Sequence, residues 1–133
     1  MKPIRYAERG WTLIEMVVVM ALIVILAGIA TAQCKNSVTR SREAVLKEDL
    51  FRMRDAIDQY YADKNKYPAD LTTLVSDNYM REVPKDPFTE SSETWQTIPS
   101  EPDPGNPNLE PGVYNVKSGS DQHGLDGTAY ADW

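Results

Sequence analysis

Between Met16 and Ala32 the chain reads MVVVMALIVILAGIATA, an uncharged run with one carboxylate, Glu15, set immediately before it. Taken as helix from Trp11 to Ala32, at about 1.5 Å per residue, this stretch reaches roughly 33 Å, enough to cross the hydrocarbon core of a bilayer. Ahead of it lies a short leader holding Lys2, Arg5 and Arg9 against Glu8. The positive-inside tendency keeps such a leader in the cytoplasm and sends the rest across. Every other element must be arranged around that helix.

Three processing routes fit a segment of this kind. Ala30-Thr31-Ala32 has the small-x-small pattern of a signal-peptide cleavage site. A lipoprotein signal could end at Cys34, but Gln33 stands where a small residue is wanted. A prepilin leader would instead be cut before the apolar run, so that the run is kept. Glu15 separates the three. A carboxylate at the start of a membrane segment costs a few kcal/mol to insert and is as a rule functional. A peptide destined for destruction has no use for it. Cleavage after Gly10 gives Trp11 a charged α-amino group four residues before Glu15, and the two charges can neutralise each other within one subunit or between neighbours. The alternative without a function is a glutamate snorkelling at the membrane edge.

Beyond the run the composition turns polar while the helical period continues. Leu46, Leu50, Met53, Ile57 and Tyr60 form an apolar stripe with charges on either side, Asp55, Asp58 and Arg54 falling off it. Glu48 and Arg52 stand in the favourable i,i+4 order. No Pro or Gly interrupts from Ile29 to Tyr67, which predicts one helix from about Trp11 to Asp63, roughly 80 Å long. Tyr67-Pro68 should break it. A short second helix is expected around Leu71, Leu74 and Val75, started by Asp70. Thr94–Ile98 and Val113–Val116 have the character of two short strands, separated by the Pro/Gly-rich loop PSEPDPGNPNLEPG. Paired antiparallel, they would cover the stripe. The expected class is α+β: a long N-terminal helix, apolar in its first half and amphipathic in its second, on a small antiparallel sheet with an irregular C-terminal loop. Trp133 is expected to lay its ring over this small core.

Composition limits the functions open to the chain. Its 133 residues allow one domain beyond the leader and run, small enough to be marginal without a staple. The net charge of −6 gives no electrostatic footprint for nucleic acid. With one His and one Cys there is no catalytic constellation, and lone Cys34 allows no intrachain disulfide. His123, with no Cys partner nearby, is expected to be exposed rather than a ligand.

Gly10 followed by Trp11-Thr12-Leu13-Ile14-Glu15 resembles the cleavage and methylation motif of type IV pilins and type II secretion pseudopilins. Trp11 replaces the usual Phe, and the proline that many relatives carry near the end of the run is absent at Ala32 and Gln33. Asn65-Lys66-Tyr67-Pro68, Val83-Pro84-Lys85-Asp86-Pro87-Phe88 and Asp126-Gly127-Thr128 with Trp133 extend the resemblance to the major pseudopilins over nearly the whole chain. The resemblance implies residues 1–10 as leader, 11–33 as transmembrane and filament-core helix, and 34–133 as periplasmic domain. Prepilin peptidase would cut between Gly10 and Trp11 and methylate Trp11, and Glu15 would set register in assembly. The expected partners are other copies in a helical filament, minor pseudopilins, the peptidase and the inner-membrane assembly platform. The expected location is the bacterial inner membrane, with a filament projecting into the periplasm.

Major pseudopilins use calcium where pilins use a disulfide loop, and the resemblance places ligands at Ser118, Asp121, Asp126 and Asp132. Hard cations need six to eight oxygens, so backbone carbonyls near Lys117 and Ser118 would have to complete the set. The same residues fit an acidic, solvated tail with Asp-Gly turns. The chain thus reads as a structural subunit of a secretion pseudopilus. The alternatives are a subunit of a surface type IV pilus and a soluble periplasmic binding protein released after Ala32.

Overall fold

The computed structural model of the chain describes residues 12–102, 104–105 and 110–133. Their elements run in the order α1 (Leu13–Lys64), α2 (Leu71–Ser76), β1 (Gln96–Pro99), β2 (Val113–Lys117) and a 3-10 turn at Tyr130–Asp132. The long N-terminal helix and small antiparallel sheet are the α+β layout expected. The chain divides after Ser37 into two compact units.

In the first unit the described part is the apolar half of α1. Thr12 lies outside the helix, and its Oγ1 accepts the Glu15 backbone N–H at 3.4 Å, so the hydroxyl caps the helix and fixes its start at Leu13. The expected start at Trp11 lies outside the described residues. No residue from Thr12 to Ser37 is buried, and only Val19 is half-buried.

In the second unit the same helix buries one face. Leu46, Met53 and Ile57 are completely buried, with Leu50, Ala56 and Tyr60 nearly so. Each large side chain of this stripe contributes about 1.5–3 kcal/mol by leaving water. Glu48 and Arg52 pair on the outer face at 2.8 Å, an exposed contact worth about 0.3–0.5 kcal/mol. The helix ends earlier than the Tyr67-Pro68 break requires. Asn65 takes a left-handed φ of 52° and donates its N–H to the Tyr61 carbonyl at 2.8 Å, closing the last turn. Asp70 then starts α2, its Oδ1 accepting from Thr73 N–H and both threonine hydroxyls at 2.7–2.8 Å.

The sheet differs from expectation in one respect. Only β2 sends side chains into the core, Val113 and Val116, while β1 is exposed along most of its length. Gln96 to Ile98 pair with Lys117 to Asn115 in step, and then Pro99 pairs with Val113, so Tyr114 is an extra residue on β2. That bulge resets the alternation and lets positions three apart face the same side. Trp95, expected within the first strand, instead precedes it as a buried anchor, donating its indole N–H to the Pro84 carbonyl at 2.8 Å. Gly119 lets the chain pass against Thr94, whose carbonyl oxygen would lie 1.9 Å from any added Cβ. Leu71, Leu74 and Tyr130 complete the core, with Phe88 stacked on Tyr130 at 4.0 Å between ring centres.

Candidate functional site

Gly10 and Trp11, the expected cleavage and methylation residues, lie outside the described residues. Glu15 lies in the first turn of α1 and is exposed. Thr12-x-x-Glu15 has the spacing of a capping box, and a carboxylate in a first turn is favoured by the helix dipole by about 0.3–1 kcal/mol in water. From Leu13 to Ala32 the sequence offers this acid no cation. Beyond Glu15 the apolar side chains as far as Ser37 are open apart from half-buried Val19: Val17 is 60% exposed and Val24 71%. The helix is long and apolar enough to cross a membrane, and none of that stretch is buried within the protein. What the terminus offers chemically is a sticky apolar rod with one acid near its tip.

The four expected calcium ligands are distributed differently. Ser118 is fully buried, and its hydroxyl donates to Asp86 Oδ2 while accepting from Ser120 N–H at 3.1 Å. Asp121 is exposed. Asp126 Oδ1 accepts both the N–H and the hydroxyl of Thr128, at 2.9 and 2.7 Å. These bonds, more than the nearby Lys47, hold its carboxyl below the usual carboxylate range. Asp126 and Asp132 do line one surface depression, but Lys47 and Arg54 line it with them. Among the described residues no three His, Cys, Asp or Glu side chains gather as metal ligands do. A depression that already holds two cations, with Asp126 committed to the Thr128 N–H and hydroxyl, does not fit a divalent ion. His123 is exposed and pairs through its main chain with Ala129.

Three polar residues matter that the sequence pattern did not single out. Buried Asp86 accepts the Phe88 N–H at 2.8 Å and the Ser118 hydroxyl, tying the turn after Pro84 to the chain beyond β2. Arg54 crosses from α1 to Asn115, Val116 and Trp133. Glu43 accepts from Leu125 N–H and the Tyr130 hydroxyl. Burial first, and then the bond to Glu43, push the Tyr130 phenol up to about 12. Apart from the Asp86–Phe88 bond, each contact joins residues more than thirty apart, so no local pattern announces it.

Comparison with known proteins gives one family match and several curated relatives. Residues 5–31 match the family described as the prokaryotic N-terminal methylation motif. The chain is 27% identical over 99 residues to the type II secretion system core protein G of Pectobacterium carotovorum subsp. carotovorum, covering 62% of this chain and 64% of that one. It is 29% identical over 100 residues to the core protein G of Pseudomonas aeruginosa, covering 63% and 70%. It is also 32% identical over 85 residues to the fimbrial protein EcpC of Eikenella corrodens, covering 60% and 56%. The chain therefore spans a little under two thirds of the Pectobacterium protein and little more than half of the Eikenella one. No solved structure matches it. The chain thus carries a prokaryotic N-terminal methylation motif ahead of an α+β body, and is similar to proteins named type II secretion system core protein G and to a fimbrial protein.

Proposed function

We propose that the chain is a structural subunit of a periplasmic pseudopilus in type II protein secretion. The observation that carries this is the contrast within α1: its first half is exposed on all faces while its second half is sealed into a small body. The methylation motif and the relatives named core protein G support it. The chain waits in the inner membrane with its leader in the cytoplasm. Prepilin peptidase cuts between Gly10 and Trp11 and methylates Trp11. The apolar halves of many copies then pack together, leaving the acidic bodies outside. Such head-to-tail contacts repeat without closing, which produces a filament.

Glu15 sets the register. Drawn into an apolar core it is costly unless a cation meets it, and the α-ammonium created at Trp11 is such a cation. Seating is stable only where the two come together. The assembly platform of the inner membrane and the minor pseudopilins act as partners in this process, and the chain's contribution is structural rather than enzymatic. The similarity to fimbrial protein EcpC favours one second reading, a subunit of a surface type IV pilus.

The test is Glu15→Ala in the producing cell. Cleavage after Gly10 should proceed, and assembled filaments should fall at least tenfold. Normal filament yield from this variant removes the pairing mechanism. Deleting the gene separates the two assemblies: loss of exported proteins from the medium marks a secretion pseudopilus, and loss of surface fibres marks a pilus.

A further inference from the structure

We propose that Glu43, Lys47 and Arg54 of α1 clamp the closing segment Gly119–Trp133 onto the body without a metal ion. Residues four and seven apart return to nearly the same side of a helix, so these three form one polar strip beside the buried stripe. Each reaches the closing segment. Glu43 Oε1 accepts the Leu125 N–H at 2.8 Å and the Tyr130 hydroxyl at 3.1 Å. Arg54 Nη2 donates to the Trp133 carbonyl at 2.7 Å and the Val116 carbonyl at 3.0 Å, and its Nε donates to Asn115 Oδ1 at 2.8 Å. Lys47 Nζ stands 4.3 Å from the centre of the Trp133 ring, whose indole N–H bonds Thr128 Oγ1 at 2.6 Å.

The segment needs such anchors. Its own regular structure is one isolated bridge, His123 to Ala129, and the short 3-10 turn that follows. Segments held by turn hydrogen bonds with so little regular structure open easily unless tied down. The fit against α1 is close: a Cβ at Gly124 would lie 2.9 Å from the Trp133 ring and 3.1 Å from Glu43 Oε1. The clamp also does electrostatically what a divalent ion would do. The guanidinium draws the Val116 and Trp133 carbonyl oxygens together, and Lys47 adds a second positive charge beside Asp126 and Asp132. Hydrogen bonds with one charged member are the stronger kind. A metal is therefore unnecessary here and electrostatically disfavoured.

Amide hydrogen exchange of the full chain in detergent micelles, in excess chelator and then in excess calcium, tests this directly. In the native chain the Leu125 amide should exchange at the same rate, within about twofold, in both conditions. Glu43→Ala should speed that amide by about tenfold or more, while Met53 and its helical neighbours stay protected. Glu43→Gln, which keeps an acceptor oxygen, should retain most of the protection. Calcium slowing the Leu125 amide tenfold in the native chain overturns the proposal, and this arm needs no variant to fold. Unchanged Leu125 exchange in Glu43→Ala overturns it as well.

Discussion

The two halves of α1 are one helix in two solvents. In the body, Leu46, Met53 and Ile57 are sealed, while charges off the stripe such as Asp55 and Asp58 face water. In the first half, Leu13, Val17 and Val24 are 60–86% exposed, and only Val19 is half-buried among residues 12–37. An amphipathic helix carries its own instruction about where to pack. A helix apolar all round carries none, and is stable only within a membrane or among other such helices. The difference shows which half folds the subunit and which half recruits its surroundings. On the proposed function, such a chain leaves a membrane and enters a filament without refolding its body.

The largest expected effects lie in the stripe. Met53→Ala should cost the body about 2–5 kcal/mol, through lost burial and the cavity left behind. Val24→Ala, in the apolar half, should leave the body's thermal unfolding unchanged within about 0.5 kcal/mol. Calorimetry of the two variants in micelles checks the pair. A comparable loss from Val24→Ala would show that the halves are not energetically separate.

A smaller effect belongs to the cap of α2. Asp70→Ala should cost about 1 kcal/mol, read as a fall in melting temperature of about 4–8 °C for a body of this size. The side-chain hydrogen bonds from Thr72 and Thr73 hold the Asp70 carboxyl below its ordinary value of 3.8. Its contribution is therefore complete above that value and is lost as pH falls through the lower folded one. The native chain and Asp70→Ala should thus converge in stability at strongly acidic pH. A gap that persisted there would mean that the cap acts through packing rather than through its charge.

Much of this layout was legible in the residues. The stripe from Leu46 to Tyr60 was visible in its spacing, and every member is buried. The Asp70 cap was visible because capping chemistry is local. What escaped was long-range. Arg54 looked like a surface charge, yet it reaches residues 61 to 79 positions away. The first strand starts two residues later than expected because Trp95, an apparent strand residue, is held by the Pro84 carbonyl. The bulge at Tyr114 left no mark in the alternation read from sequence, because it is the bulge that defines that alternation. The resemblance to the major pseudopilins suggested a metal at the acids of the closing segment, and only their placement beside Lys47 and Arg54 speaks for a clamp.

The central claim is that the apolar half of α1 is kept, because cleavage ahead of it creates the partner of Glu15. Intact-mass and N-terminal analysis of the chain purified from the membrane of its producing cell tests this most directly. The account predicts a mature chain beginning at Trp11 and carrying one added methyl group. A mature chain beginning at Gln33 or Lys35 would mean that the apolar run is a discarded signal, and would contradict it.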